Sequence, residues 1–156
     1  MSPMQMNEAV VALIATISTA FANGPTPPLV MLVYPDTWET RDLIQDLTPT
    51  NGTPDRAFIE RHLDSLAAFT PEGLRHVLPH YLLYSLENPD SEATERVIIH
   101  LSPEEFDTPY WRERLHAFSP VQRRAVCKYL QHMRTELADQ RFDTDFLRGL
   151  SIWGCE

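Results

Sequence analysis

Twelve residues, Leu66-Ala67-Ala68-Phe69-Thr70-Pro71-Glu72-Gly73-Leu74-Arg75-His76-Val77, recur 49 positions later as Leu115-His116-Ala117-Phe118-Ser119-Pro120-Val121-Gln122-Arg123-Arg124-Ala125-Val126. The shared pattern, L-x-A-F-S/T-P-x-x-x-R-x-V, reads as the end of one helix, a tight corner and the start of the next. A hydroxyl side chain can accept a hydrogen bond from an amide in a helix's first turn, and proline costs nothing at the first helical position. Each Ser/Thr-Pro therefore fixes where a helix begins, and the chain is expected to hold two similar helical hairpins. Repeated hairpins build a surface for holding something more readily than a reaction centre.

The expected fold is mainly α, a single helical domain over 1–156 with six to eight helices, and it allows a minor two-stranded β element. At 156 residues the chain is long enough to bury about 70% of its unfolded surface. A hydrophobic content of 43%, with 5 Gly against 13 Pro, argues against disorder and against a barrel of many short strands.

Val10, Leu13, Ile14, Ile17 and Phe21 form one stripe of a first helix. Glu8 and the absence of Lys or Arg ahead of it do not suit a signal peptide, and the stretch is too short to span a bilayer. After the breaker cluster Asn23-Gly24-Pro25-Thr26-Pro27-Pro28, the apolar run 29–34 reads as a strand that could pair with 96–101, where Val97-Ile98-Ile99 is β-branched. Between these, Asp36 or Thr37 is expected to cap a helix to about Leu47, with Trp38, Ile44 and Leu47 inward. Thr53-Pro54 opens a helix carrying Phe58, Ile59, His62, Leu63 and Leu66. Thr70-Pro71 opens another, carrying Leu74, Val77, Leu78, Tyr81, Leu82 and Leu86, in which Pro79 predicts a kink. Thr108-Pro109 and Ser119-Pro120 open the second hairpin, and Asp143 or Thr144 caps a last helix whose Ile152-Trp153 docks on the core.

Phe69-Thr70-Pro71-Glu72-Gly73-Leu74-Arg75-His76-Val77-Leu78-Pro79-His80-Tyr81-Leu82 and the later Phe118-Ser119-Pro120-Val121-Gln122-Arg123 resemble an uncharacterised family of small bacterial proteins. In that family an "LTPEAFRYYLPAYL"-like phrase precedes an "FTPEQR"-like one. The likeness runs from about Glu8 to Met133 and implies a compact intracellular bacterial domain. It implies no activity, cofactor or catalytic residue, and His76-Val77 departs from the aromatic pair of the family phrase.

The net charge of −9 is unevenly spread: five acids (Glu8, Asp36, Glu39, Asp42, Asp46) face one base, Arg41, in residues 1–52. An acidic surface repels phosphate backbones and anionic lipid, so the expected partner is a basic protein, with no nucleic acid and no membrane. Cys127 and Cys155 do not make a disulfide framework. Cys127 matches the apolar Leu78 in the repeat and reads as a buried structural cysteine, with a reducing cytoplasm as the location.

Asp36, Trp38, Glu39, Asp42 and Asp46 form the candidate partner-binding set, because a tryptophan beside acids buries a large area while keeping a polar handle. His76-x-x-x-His80, with Glu72 one turn earlier, is a candidate metal set, since residues four apart share a helix face. The ordinary reading of that face is a solvated one. Asp107-Thr108-Pro109-Tyr110-Trp111 reads as edge of core. The strip Arg123, Arg124, Lys128 and Arg134 is explained by salt links to Glu113, Glu136 and Asp139. Arg75 and Arg124, in the same repeat slot, are expected to bond the carbonyls that close the preceding helix, or an acid on the neighbouring hairpin. No nucleophile elbow, phosphate loop, CxxC or paired-carboxylate signature is present, so no cofactor is implied and the reading leans away from an enzyme. The expected function is a non-catalytic cytoplasmic binding module, of the kind an immunity or antitoxin-like inhibitor represents. Its alternatives are a metal-dependent hydrolase built on His76 and His80, and a structural subunit of a larger assembly.

Overall fold

Asn7 accepts the amide of Ala9 at 2.6 Å and so starts α1 (Glu8–Ala20), which buries Leu13, Ile17 and Ala20. The computed structural model describes residues 7–22, 26–137 and 141–155. Among them α1 is followed by α2 (Thr40–Leu47), α3 (Arg56–Arg61), α4 (Pro71–Glu87), α5 (Glu92–Leu101), α6 (Pro109–His116), α7 (Pro120–Glu136) and α8 (Asp143–Ile152), with 3-10 turns at Leu29–Met31, Thr48–Thr50 and Leu66–Ala68. The cluster Asn23-Gly24-Pro25 lies outside the described residues.

Both duplicated corners form. Thr70 Oγ1 accepts the Gly73 amide at 3.0 Å, and Ser119 Oγ accepts that of Gln122 at 3.2 Å while the Ser119 amide donates back to Gln122 Oε1 at 2.9 Å. Phe69 and Phe118, the residues before the caps, are 0% and 1% exposed, so each corner is pinned into the core by its aromatic ring. The corners are also tied together by arginines. Arg75 Nη1 donates to the Ala117 carbonyl at 3.2 Å, and the fully buried Arg114 donates to the carbonyls of Phe69 at 2.6 Å and Leu66 at 2.8 Å. Arg75 thus bonds a carbonyl at the other corner rather than one closing the helix before it or an acid, and exposed Arg124 gives way to Arg123, whose Nε donates to the Phe118 carbonyl at 3.1 Å.

One interior joins these pieces. α1 lies against α4 and α7, α5 against α4 and α8, and α6 against α4. Ile17, Leu74, Leu78, Tyr81, Val97, Val126, Leu130 and Phe146 meet in that core, and Trp153 docks there with Nε1 donating to the Leu101 carbonyl at 3.0 Å. α4 runs on through Pro79, which is buried.

Several expectations do not hold. Neither 29–34 nor 96–101 is a strand. Ser91 caps α5, and Ala93, Thr94, Val97, Ile98 and Leu101 fall on one buried helical face, a stripe that outweighs the weak strand preference of three branched residues. Residues 29–31 curl instead, and the isolated antiparallel bridge among the described residues joins Val33 to Phe69. α2 begins two residues after Trp38, which leaves that ring out of the stripe of Leu43, Ile44 and Leu47 and 88% exposed. Asp55 rather than Thr53 caps α3, accepting the Phe58 amide at 2.9 Å, and α8 begins without a side-chain cap. Cys127 is not a free thiol: it is bonded to Cys155, 28 residues on, with a Cα separation of 5.5 Å. The packing of α8 on α7 brings the two sulfurs together, a proximity that spacing along the chain does not reveal.

Candidate functional site

Trp38 is held out from the body by a tied turn. Thr40 Oγ1 donates to the Tyr34 carbonyl at 2.5 Å, lies 2.7 Å from Thr37 Oγ1 and accepts the Thr37 amide at 3.2 Å, which fixes the backbone on both sides of the indole. Opposite this turn, α3 ends at Arg61 and residues 62–65 cross toward the 3-10 turn at Leu66–Ala68. Between the two segments lies an open cleft of about 400 Å³, walled by Trp38, Glu39 and Asp42 on one side and by Glu60, His62 and Asp64 on the other.

Two cross-links hold the walls in place. Ser65 Oγ donates to Glu39 Oε1 at 2.5 Å, and His62 Nε2 lies 2.7 Å from Asp46 Oδ2, with Arg61 Nε 3.4 Å from the same oxygen. The His62 ring also packs on Phe58 at 4.6 Å, and its carbonyl accepts the Tyr81 hydroxyl at 2.8 Å. Glu39 and Asp46 are therefore engaged in building the cleft. Asp36, Asp42 and Asp64 have no hydrogen-bond or ion-pair partner among the described residues. At the rim, the Tyr84 hydroxyl donates to Glu60 at 2.7 Å and, with Arg56, holds that carboxyl below the usual range, while the same bond pushes Tyr84 up. Four lining carboxylates against Arg61 and His62 give the cleft a negative field that favours cationic groups.

Of the residues singled out in the sequence, Trp38, Glu39 and Asp42 line this cleft, Asp46 stands behind it holding His62, and Asp36 sits exposed on the turn outside the lining. Sequence reasoning missed the facing wall of Glu60, His62, Asp64 and Ser65. The acids flanking Arg61-His62 were its one visible trace.

The other candidates fare differently. His76 and His80 do share a face of α4, with ring centroids 6.3 Å apart, but His76 Nε2 is bonded to the Gly52 carbonyl at 2.9 Å. Burial, and then the neighbouring His76, push the His80 imidazole below its ordinary value. Glu72, His76 and His80 are each partly buried rather than fully solvated. Among the described residues no group of three His, Cys, Asp or Glu side chains is placed to hold a metal ion. Arg123, Arg124, Lys128 and Arg134 make no ion pair with Glu113 or Glu136 among the described residues, and Asp139 lies outside them. Trp111 is buried, as an edge-of-core residue should be, and lies 5.5 Å beneath the Arg114 guanidinium.

No helix among the described residues is long and apolar enough to cross a membrane. The chain matches no curated protein and no solved structure. Residues 11–153, from within α1 to the docked Trp153, match a family of unknown function, DUF6714, and the chain belongs to that family.

Proposed function

We propose that this chain is a non-catalytic protein-binding module that engages a basic partner through the cleft beside Trp38. The observation that carries the reading is the indole itself, 88% exposed on a hydrogen-bonded turn beside four lining carboxylates. A tryptophan left in water forgoes about 150–250 Å² of burial, and such rings are enriched where partners dock. The acidic rim supports a basic partner, because complementary charge speeds encounter and selects against acidic competitors. An immunity or antitoxin-like inhibitor is the form of binding protein that fits a small acidic chain of this kind.

The test places a photoreactive amino acid at position 38 and, as control, at exposed Leu147 on α8. Expected is a single basic protein crosslinked from position 38 and not from 147, lost when Asp42→Lys and Asp64→Lys are introduced. Equal yields at both positions, or a product indifferent to the charge reversals, overturns the reading.

A further inference from the structure

Where the end of α6 meets the end of α8 there is a second, smaller groove of about 190 Å³, and we propose that it binds a small oxyanion, a carboxylate or a phosphate group. Arg112 and His116 from α6 and Arg123 from α7 line it, over a floor of Leu115, Ile152 and Trp153. Among the described residues no carboxylate lines it, in a chain whose net charge is −9. This groove is independent of the Trp38 cleft.

Cations near helix C-termini usually serve the negative ends of the helix dipoles. Here the closing carbonyls already have backbone partners. The Ala117 amide serves Glu113 and Arg114, the Phe118 amide serves Leu115, and the amides of Trp153, Gly154 and Cys155 serve Gly149, Ser151 and Leu150. Arg123 gives its Nε to the Phe118 carbonyl, and Arg112 gives Nη1 to Asp107 in a pair whose members are 56% and 83% exposed. The Nε and Nη2 of Arg112, both Nη groups of Arg123 and the His116 ring have no partner among the described residues. Guanidinium forks match the paired oxygens of carboxylate and phosphate, which an ammonium does not.

The floor is fixed in advance. Trp153 is 3% exposed, its ring meets Phe118 edge-on at 5.1 Å, and the following residues are tied to α7 through the bond from Cys155 to Cys127. The volume falls below the roughly 300–1,000 Å³ of pockets that take whole drug-sized molecules, so the groove suits a charged end group rather than a nucleotide.

The test titrates the full chain with inorganic phosphate and separately with acetate, at constant ionic strength maintained with sodium chloride, following the amide resonances of His116 and Gly154. Expected is a saturable shift with at least one of the two anions, weakened about tenfold in Arg112→Gln, as loss of a charge-assisted hydrogen bond requires, and weakened in His116→Ala, which removes the ring's N–H donor. Phosphate alone, acetate alone or both name the class of ligand. Neither anion exceeding chloride, or a shift that survives unchanged in both variants, overturns the proposal. Because Arg112 and His116 are exposed, the variants are expected to fold, and the chloride comparison on the unaltered chain decides the matter if one does not.

Discussion

Arg114 on α6 donates Nη1 to the Phe69 carbonyl at 2.6 Å, so the corner that opens α4 is closed by a side chain from the helix that leads into the other corner. Its guanidinium is 0% exposed, stacks 4.8 Å from Tyr110 and has no ion-pairing carboxylate among the described residues, while its Nε lacks a hydrogen-bond partner. Burial pushes this group below the usual arginine range, and yet it stays the donor on which Phe69 depends.

Arg114→Met tests which of two opposed effects is larger. Methionine keeps much of the volume and removes a buried charge, which favours the variant, but it strands the Phe69 carbonyl and leaves the Leu66 carbonyl with the Phe69 amide alone at 3.3 Å, each losing a charge-assisted bond of about 1.5–3 kcal/mol. The expected net loss is about 2–4 kcal/mol in urea denaturation. An unchanged midpoint would mean that the cost of burying the charge cancels both bonds.

Gly73→Ala separates local preference from tertiary packing. In an isolated helix the substitution gains about 1 kcal/mol. In this fold a Cβ at position 73 would stand 1.8 Å from the Leu32 carbonyl oxygen and 2.6 Å from its carbon, and that carbonyl also accepts the Thr70 amide. Backbone atoms cannot swing aside as a side chain can, so a loss of about 3 kcal/mol or more in thermal or urea unfolding is expected.

The same contrast explains what could be read from the chain. The two corners were legible because capping is local: Thr70 and Ser119 reach amides three residues away, and the rings beside them had nowhere polar to go. Residues 96–101 misled because three branched residues look alike in a strand and on a buried helix face, and only the packing of α5 on α4 and α8 decides. Trp38 misled by its position two residues short of the helix. Half of the cleft, Trp38, Glu39 and Asp42, was visible as an acidic run with an indole. The facing half was hidden because contacts between residues far apart in sequence, Ser65 to Glu39 and His62 to Asp46, put it there.

His100 gives the fold a pH dependence of definite sign. Burial, and then the charge of Arg114, push its imidazole from the ordinary 6.5 down to about 3. In that window the unfolded chain binds a proton that the folded chain refuses, so stability is complete above about pH 6.5 and falls as the pH drops toward about 3, by at most ~1.4 kcal/mol per pH unit for one proton. Urea midpoints measured between pH 7 and pH 4 are expected to decline less steeply in His100→Gln than in the unaltered chain. Parallel curves would show that His100 titrates as it does in water.

Reducing the bond between Cys127 and Cys155 is expected to act on the unfolded chain more than on the folded one. With the sulfurs apart, the end of α8 keeps its other attachments: Trp153 Nε1 on the Leu101 carbonyl, the ring against Phe118, and the Cys155 amide on the Leu150 carbonyl at 2.8 Å. Near-ultraviolet spectra and tryptophan emission should therefore change little with dithiothreitol or in Cys155→Ser. The unfolded chain, by contrast, regains the freedom of a loop spanning 28 residues, worth about 3–4 kcal/mol in the chain-entropy account. A urea midpoint lowered by that order with the folded spectrum intact is the expected result, whereas a changed spectrum at zero urea would place the effect in the folded core instead.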